Sequence, residues 1–123
     1  MLNSLEKNII EKILRYSDDV VKEVLYKQYE SIVVVNRSYT GTGFYTEFSI
    51  KDPDLIIDKN IQFKLGKIHA KIKGLKNGAG FVLYIKDGVI KMLEAYCYDE
   101  SWPNNAEIIE IFEVKSDGSL ISV

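Results

Sequence analysis

Over residues 3–16, Leu5, Ile9, Ile10, Ile13 and Leu14 recur at helical spacing, with Glu6, Lys7, Glu11 and Lys12 on the other side. That pattern predicts an amphipathic helix. Ser17, Asp18 and Asp19 then offer a capping hydroxyl and two acids suited to the positive end of a second helix. Val20, Val21, Val24, Leu25 and Gln28 carry this helix to about residue 30. From Ser31 onward the period changes to two, and every later signal is of strands and turns.

Residues 32–35 form a β-branched run bounded by Asn36-Arg37-Ser38. After a turn at Gly41-Thr42-Gly43, Phe44, Thr46, Phe48 and Ile50 alternate with Tyr45, Glu47 and Ser49. Pro53 lacks a ladder donor and breaks the pattern, so 51–63 is expected as a surface loop anchored at 55–57. Strands are expected over 64–73, 106–115 and 120–123, the last two joined at Ser116-Asp117-Gly118. The strongest turn signal is Asp87-Gly88 between two apolar runs, because a type I′ hairpin needs positive φ at both central residues. Counting back from it pairs Lys86 with Val89, Ile85 with Ile90, Tyr84 with Lys91, Leu83 with Met92 and Phe81 with Glu94. A tight turn at Asn77-Gly78 would set Ile72 beside Leu83 and Ala70 beside Ile85.

These registers put Phe44, Phe48, Ile68, Ile72, Phe81, Leu83, Ile85 and Met92 on a core face. Lys67, His69, Lys71, Lys73, Tyr84, Lys86 and Lys91 fall on the other face. The expected architecture is one α+β domain, 1–123, with two N-terminal helices packed on an antiparallel sheet of about six strands built as a meander of hairpins.

Composition narrows the class. The chain has 123 residues, 46% hydrophobic and 28% charged, enough for one core and too few for two. No apolar run is long enough to span a bilayer, and the N-terminus has acids where a signal peptide would be apolar. One cysteine, Cys97, permits no internal disulfide or cysteine metal cluster, so a cytoplasmic protein without membrane contact is expected. Net charge is −2 but unevenly spread: residues 51–86 carry eight lysines against three aspartates, and 87–123 carry eight acids against two lysines. Such a split predicts surfaces of opposite sign.

Little in the chain suggests catalysis. His69 is the only histidine and sits among lysines; paired with Cys97 by strand parity, it would still lack an orienting third group. The same scarcity of convergent ligands argues against a metal or other cofactor. Gly41-Thr42-Gly43 and the glycines at 74 and 78 lack a phosphate-loop pattern and read as turns. The lysine face could meet phosphates, as sheet-based single-strand binders do. With Tyr84 as its one stacking ring, nucleic acid is the less favoured partner.

The sharpest feature is the segment containing Glu94, Tyr96, Tyr98, Asp99, Glu100 and Trp102. The counted register sets Glu94 on the core face, where an apolar side chain is expected. Two readings stay open. Glu94 could sit at the sheet rim against a tyrosine with Trp102 plugging the core edge, or these six residues could form a partner-binding patch of aromatics and carboxylates.

The segments TGTGFYTEF (40–48) and GLKNGAGFVLYIKDGVIKMLEAYCYDESWP (74–103), with the spacing between them, resemble a family of small bacterial proteins. These are immunity proteins of polymorphic and contact-dependent growth inhibition toxins. The resemblance covers about half the chain; the family pattern often has Gly where this chain has Ala95, and the helices and acidic C-terminal run lie outside it. It implies a non-enzymatic inhibitor that binds the C-terminal domain of a cognate toxin, often a nuclease, in the cytoplasm, and it carries no catalytic motif.

Overall fold

The computed structural model describes residues 1–17 and 20–123; Asp18 and Asp19, read above as acids at a helix start, lie outside the described residues. Helix α1 spans Ser4–Arg15 and α2 spans Lys22–Glu30. Seven strands follow: β1 Val33–Tyr39, β2 Gly43–Ser49, β3 Phe63–Ile72, β4 Ala79–Lys86, β5 Val89–Cys97, β6 Ile108–Val114 and β7 Leu120–Ser122. The α+β expectation holds, with seven strands in place of six. The simple meander does not. All pairings are antiparallel in the order β1-β2-β5-β4-β3-β6-β7, so the β3-β4-β5 meander is flanked by the β1-β2 hairpin on its β5 side and by β6-β7 on its β3 side.

Both helices lie on one face. Ile9, Ile10, Ile13 and Leu14 from α1 and Leu25 from α2 pack against Phe44, Phe48, Ile68, Ile72, Phe81, Leu83, Ile85, Ile90 and Leu93 of the sheet. Helix α1 begins with a capping box in which Asn3 and Glu6 each accept from the other's backbone N–H at 2.9 Å. Ser17 does not cap α2: its hydroxyl donates to the Leu14 carbonyl, and the N-cap position before Lys22 is Val21, which makes no side-chain cap. Gln28, fully buried on α2, donates to the carbonyls of Leu55 and Gly88 and accepts from the Ile90 N–H, fastening the helix to the β4-β5 turn and to the 3-10 turn at Pro53–Leu55. That turn has the expected geometry, with φ of 55° at Asp87 and 78° at Gly88.

Glu6 departs furthest from its expected place. It is not on the solvent side of α1 but fully buried, where it meets Arg37 of β1 and Thr46 of β2. Arg37 Nε and Nη2 donate to the two carboxylate oxygens at 2.9 and 2.7 Å, and the Thr46 hydroxyl donates at 2.5 Å. Burial alone would raise the carboxyl pKa. The Arg37 fork, the Thr46 hydroxyl and the Asn3 amide together outweigh it and hold Glu6 below the usual glutamate range.

Four pairings shift by one residue, each marking a bulge. Between Ile85↔Ile90 and Tyr84↔Met92 the extra residue is Lys91, so Leu83 faces Leu93, Phe81 faces Ala95 and Val82 faces Glu94. The register counted from Asp87-Gly88 is therefore correct for two pairs and displaced by one beyond them. A one-residue displacement exchanges faces. Leu93, Ala95 and Cys97 turn inward in place of Met92, Glu94 and Tyr96, and Cys97 and His69 end on opposite faces. The β3-β4 register also differs: Ala70 pairs with Ala79, and the connection runs through residues 73–78, longer than a two-residue turn at Asn77-Gly78. That displacement is an even number of residues, so Ile68, Ala70 and Ile72 still point inward.

Candidate functional site

The helices leave the opposite face of the sheet bare. Its central strip is written by the registers Tyr45↔Glu94↔Val82 and Glu47↔Met92↔Tyr84, extended by Tyr84↔Lys64 and by Gly80↔His69 onto β3. The bulge at Lys91 is what brings β5 into this strip with Met92, Glu94 and Tyr96 outward. The lysine face and the acidic-aromatic segment, read from the sequence as separate features, thus share one surface.

Glu94 lies at its centre, half-buried. Tyr84 Oη donates to Oε1 at 2.6 Å and Tyr45 Oη to Oε2 at 3.0 Å. Each oxygen keeps accepting capacity, so the carboxylate is held in place yet can still receive an N–H from a partner. The hydrogen bond to Glu94 is the main cause that pushes both phenols up, Tyr84 to about 12, so both remain donors at neutral pH.

Above Glu94 the surface is aromatic. Tyr96 lies across Gly80, where a methyl group would fall 2.4 Å from the ring, so only glycine leaves space for it. Tyr98 meets Tyr96 edge to face, with centroids 5.7 Å apart, and stacks on His69 at 6.4 Å. Burial pushes the His69 pKa down, partly offset by a backbone hydrogen bond with Asn77, so the imidazole is neutral at pH 7. Burial is also the first cause raising the Tyr96 phenol, followed by its neighbour Tyr98.

The remaining members of the segment lie elsewhere. Asp99 is exposed in a left-handed turn, φ 53°, just past β5. Glu100 accepts from the Lys76 N–H at 2.9 and 3.1 Å and the Asn77 N–H at 3.2 Å, stapling the β3-β4 connection. Trp102 is half-buried on the helix side, edge-on to Phe44 at 5.5 Å, with its backbone N–H donating to the Gly41 carbonyl at 2.8 Å. It closes the core beside the β1-β2 turn. Trp102→Ala is therefore expected to lower stability by about 2–3 kcal/mol, less than a fully buried tryptophan would cost. A reduced denaturation midpoint at unchanged slope would show this, and an unchanged midpoint would return Trp102 to the free surface.

Sequence reasoning missed Tyr45 altogether as a site residue and placed Glu94 on the wrong face. A usable signal existed: inward apolar positions step by two through Ile85 and again from Leu93 to Ala95, but by three from Ile90 to Leu93. A step of three in a period-two pattern marks a bulge. Burial raises the Cys97 thiol pKa, and its sulfur contacts the carbonyls of Thr42 and Glu100, so it is a packed thiol and not a nucleophile facing His69. Among the described residues, no three His, Cys, Asp or Glu side chains gather as metal ligands would. No described helix is long and apolar enough to cross a membrane.

Comparison with family models, with curated proteins and with solved structures finds no match for this chain.

Proposed function

We propose that this protein is a non-enzymatic binding domain that acts in the cytoplasm as an immunity protein, its bare sheet face occluding the active site of a cognate toxin's C-terminal domain. The observation that carries the reading is the Glu94 carboxylate, oriented by two phenols in a surface of tyrosines on the sheet face opposite the helices. Tyrosine provides a large contact area for little entropy, and a carboxylate oriented before binding meets a cationic side chain without paying to be ordered. A nuclease cleft is cationic because it must hold phosphates, and a preset carboxylate among aromatics is complementary to it. Tyr96 and Tyr98 are the anchors, Glu94 the charge partner and Asp99 a steering charge at the rim. Glu100 and Trp102 support the surface from behind.

The test uses the C-terminal domain encoded by the neighbouring upstream gene, titrated calorimetrically against this chain. Tight one-to-one binding is expected, with Tyr98→Ala and Glu94→Gln each costing about 2 kcal/mol or more and Lys73→Ala nearly nothing. No binding, or equal sensitivity of all three variants, refutes the interface.

A second reading rests on a specific observation. With Tyr45, Tyr84, Tyr96 and Tyr98 on the same face as Lys64, the face has the several rings that single-strand binders need. Glu47 and Glu94 share this face and would repel a phosphate chain, which ranks this reading second. It predicts salt-dependent binding to single-stranded oligonucleotides; no binding at low salt excludes it.

A further inference from the structure

At the other end of the same face, away from Tyr96 and Tyr98, the sheet is hollowed into a cleft of about 530 Å³. Four strands or their entries contribute: Phe63 and Lys64, Tyr84 and Lys86, Lys91 and Met92, and Glu47 on the far side. Its volume falls within the range of small-molecule sites. The bulge helps build it, since turning Met92 outward places an apolar side chain next to Tyr84 where the counted register would have placed Lys91.

Charge and surface chemistry in the cleft do not match each other, and the mismatch points to a ligand. Met92 and the Tyr84 ring offer an apolar bed, with Phe63 at its border turned toward the core. Around it stand the ammonium groups of Lys64, Lys86 and Lys91, none of them in an ion pair among the described residues. Among the described residues Glu47 is the only acid lining the cleft, which leaves a local excess of positive charge. Lys64 Nζ sits 5.7 Å over the Tyr84 ring, a favourable contact for its charge. Tyr84 is in turn held by its bond to Glu94, so the ring is already oriented. Solvated surface lysines do not require an apolar floor, and an ordinary apolar hollow does not attract three uncompensated cations.

We propose that this cleft is a binding site for a small aromatic anion: a flat ring lying on Met92 and Tyr84, with its carboxylate, sulfonate or phosphate oxygens shared among Lys64, Lys86 and Lys91. Lysines contact such a group as mobile point charges, so the site selects for a ring bearing an anion and not for one anion geometry. The cleft adjoins the proposed protein interface through Tyr84, whose hydroxyl holds Glu94, while Lys64, Lys86 and Lys91 lie away from Tyr96 and Tyr98, so ligand binding can be measured without the toxin domain.

The probe is 8-anilinonaphthalene-1-sulfonate, titrated into the folded full chain by fluorescence. One saturable site is expected, together with a rise in melting temperature, which separates binding to the native state from binding to an unfolded or loosened one. Each of Lys64→Ser, Lys86→Ser and Lys91→Ser should weaken binding by about threefold to fivefold. Met92→Glu should abolish it, and Lys71→Ser should leave it unchanged. Naphthalene-1-sulfonate should displace the probe, whereas neither inorganic sulfate nor uncharged naphthalene methanol should do so at the same concentration. Unchanged affinity in the triple lysine variant with an unaltered melt, or displacement by sulfate alone, overturns the proposal.

Discussion

Arg37→Ala is expected to destabilise the protein by about 3–5 kcal/mol at neutral pH, more than Glu6→Gln, which should cost about 1–2 kcal/mol. The asymmetry follows from exposure. The Glu6 side chain is 0% exposed and that of Arg37 27%, so the arginine can return to water when its partner is lost but the carboxylate cannot. Without Arg37, Glu6 keeps the Thr46 hydroxyl and the Asn3 amide, and burial then dominates its titration. The two proteins should consequently respond to acid in opposite senses. In the wild type the folded-state pKa of Glu6 is depressed, so its contribution is present above the ordinary glutamate value of 4.5 and is lost as pH falls through the lower folded value. In Arg37→Ala the folded-state pKa is raised, and protonation relieves the buried charge. Denaturant melts at pH 7 and pH 4 should show the gap between wild type and variant narrowing in acid. A gap that widens, or an Arg37→Ala protein no less stable than Glu6→Gln, would remove this network from its role in joining α1 to β1 and β2.

Leu93→Ala is expected to cost about 2–5 kcal/mol, like its cross-strand partner Leu83→Ala, whereas Met92→Ala should cost about 1 kcal/mol or less and Lys71→Ala almost nothing. Leu83 and Leu93 are both fully buried and directly opposed, and Met92 lies on the bare face. An unbulged β5 predicts the reverse order for positions 92 and 93. The comparison therefore tests the bulge itself, and with it the assignment of Glu94 and Tyr96 to the outer face. Similar losses at the two positions in urea melts would argue that β5 does not hold a single register.

Much of this fold is legible along the chain. The α1 stripe, the Asp87-Gly88 hairpin and the inward sets Phe44/Phe48, Ile68/Ala70/Ile72 and Phe81/Leu83/Ile85 all stand where local pattern places them. These features depend on neighbours within a helical turn or on alternation within one strand, and such short-range geometry is written directly into residue order. Even the mistaken β3-β4 register left the faces right, because a slip by an even number of residues leaves side-chain direction unchanged.

The candidate site was legible only in part. Its residues Glu94, Tyr96 and Tyr98 are conspicuous, but Glu94's two hydrogen-bond donors come from positions 10 and 49 residues away along the chain, one of them on a strand that reaches β5 only through the nonsequential strand order. Glu100 and Trp102 look like members of the same patch because they follow it in sequence. The turn at Asp99 sends them to the β3-β4 connection and to the core edge.

Residue order alone thus determined which segments become helix or strand, where the sharpest turn falls and which apolar sets must be buried. Tertiary structure decided the strand order, the four bulges, the burial of Glu6 against Arg37 and the face on which Glu94 emerges. The physical reason is that a bulge or an ion pair between distant segments is chosen by the whole set of contacts it completes. Placing Lys91 out of register lets Leu93, Ala95 and Cys97 enter the core together, and no interaction within β5 by itself makes that choice.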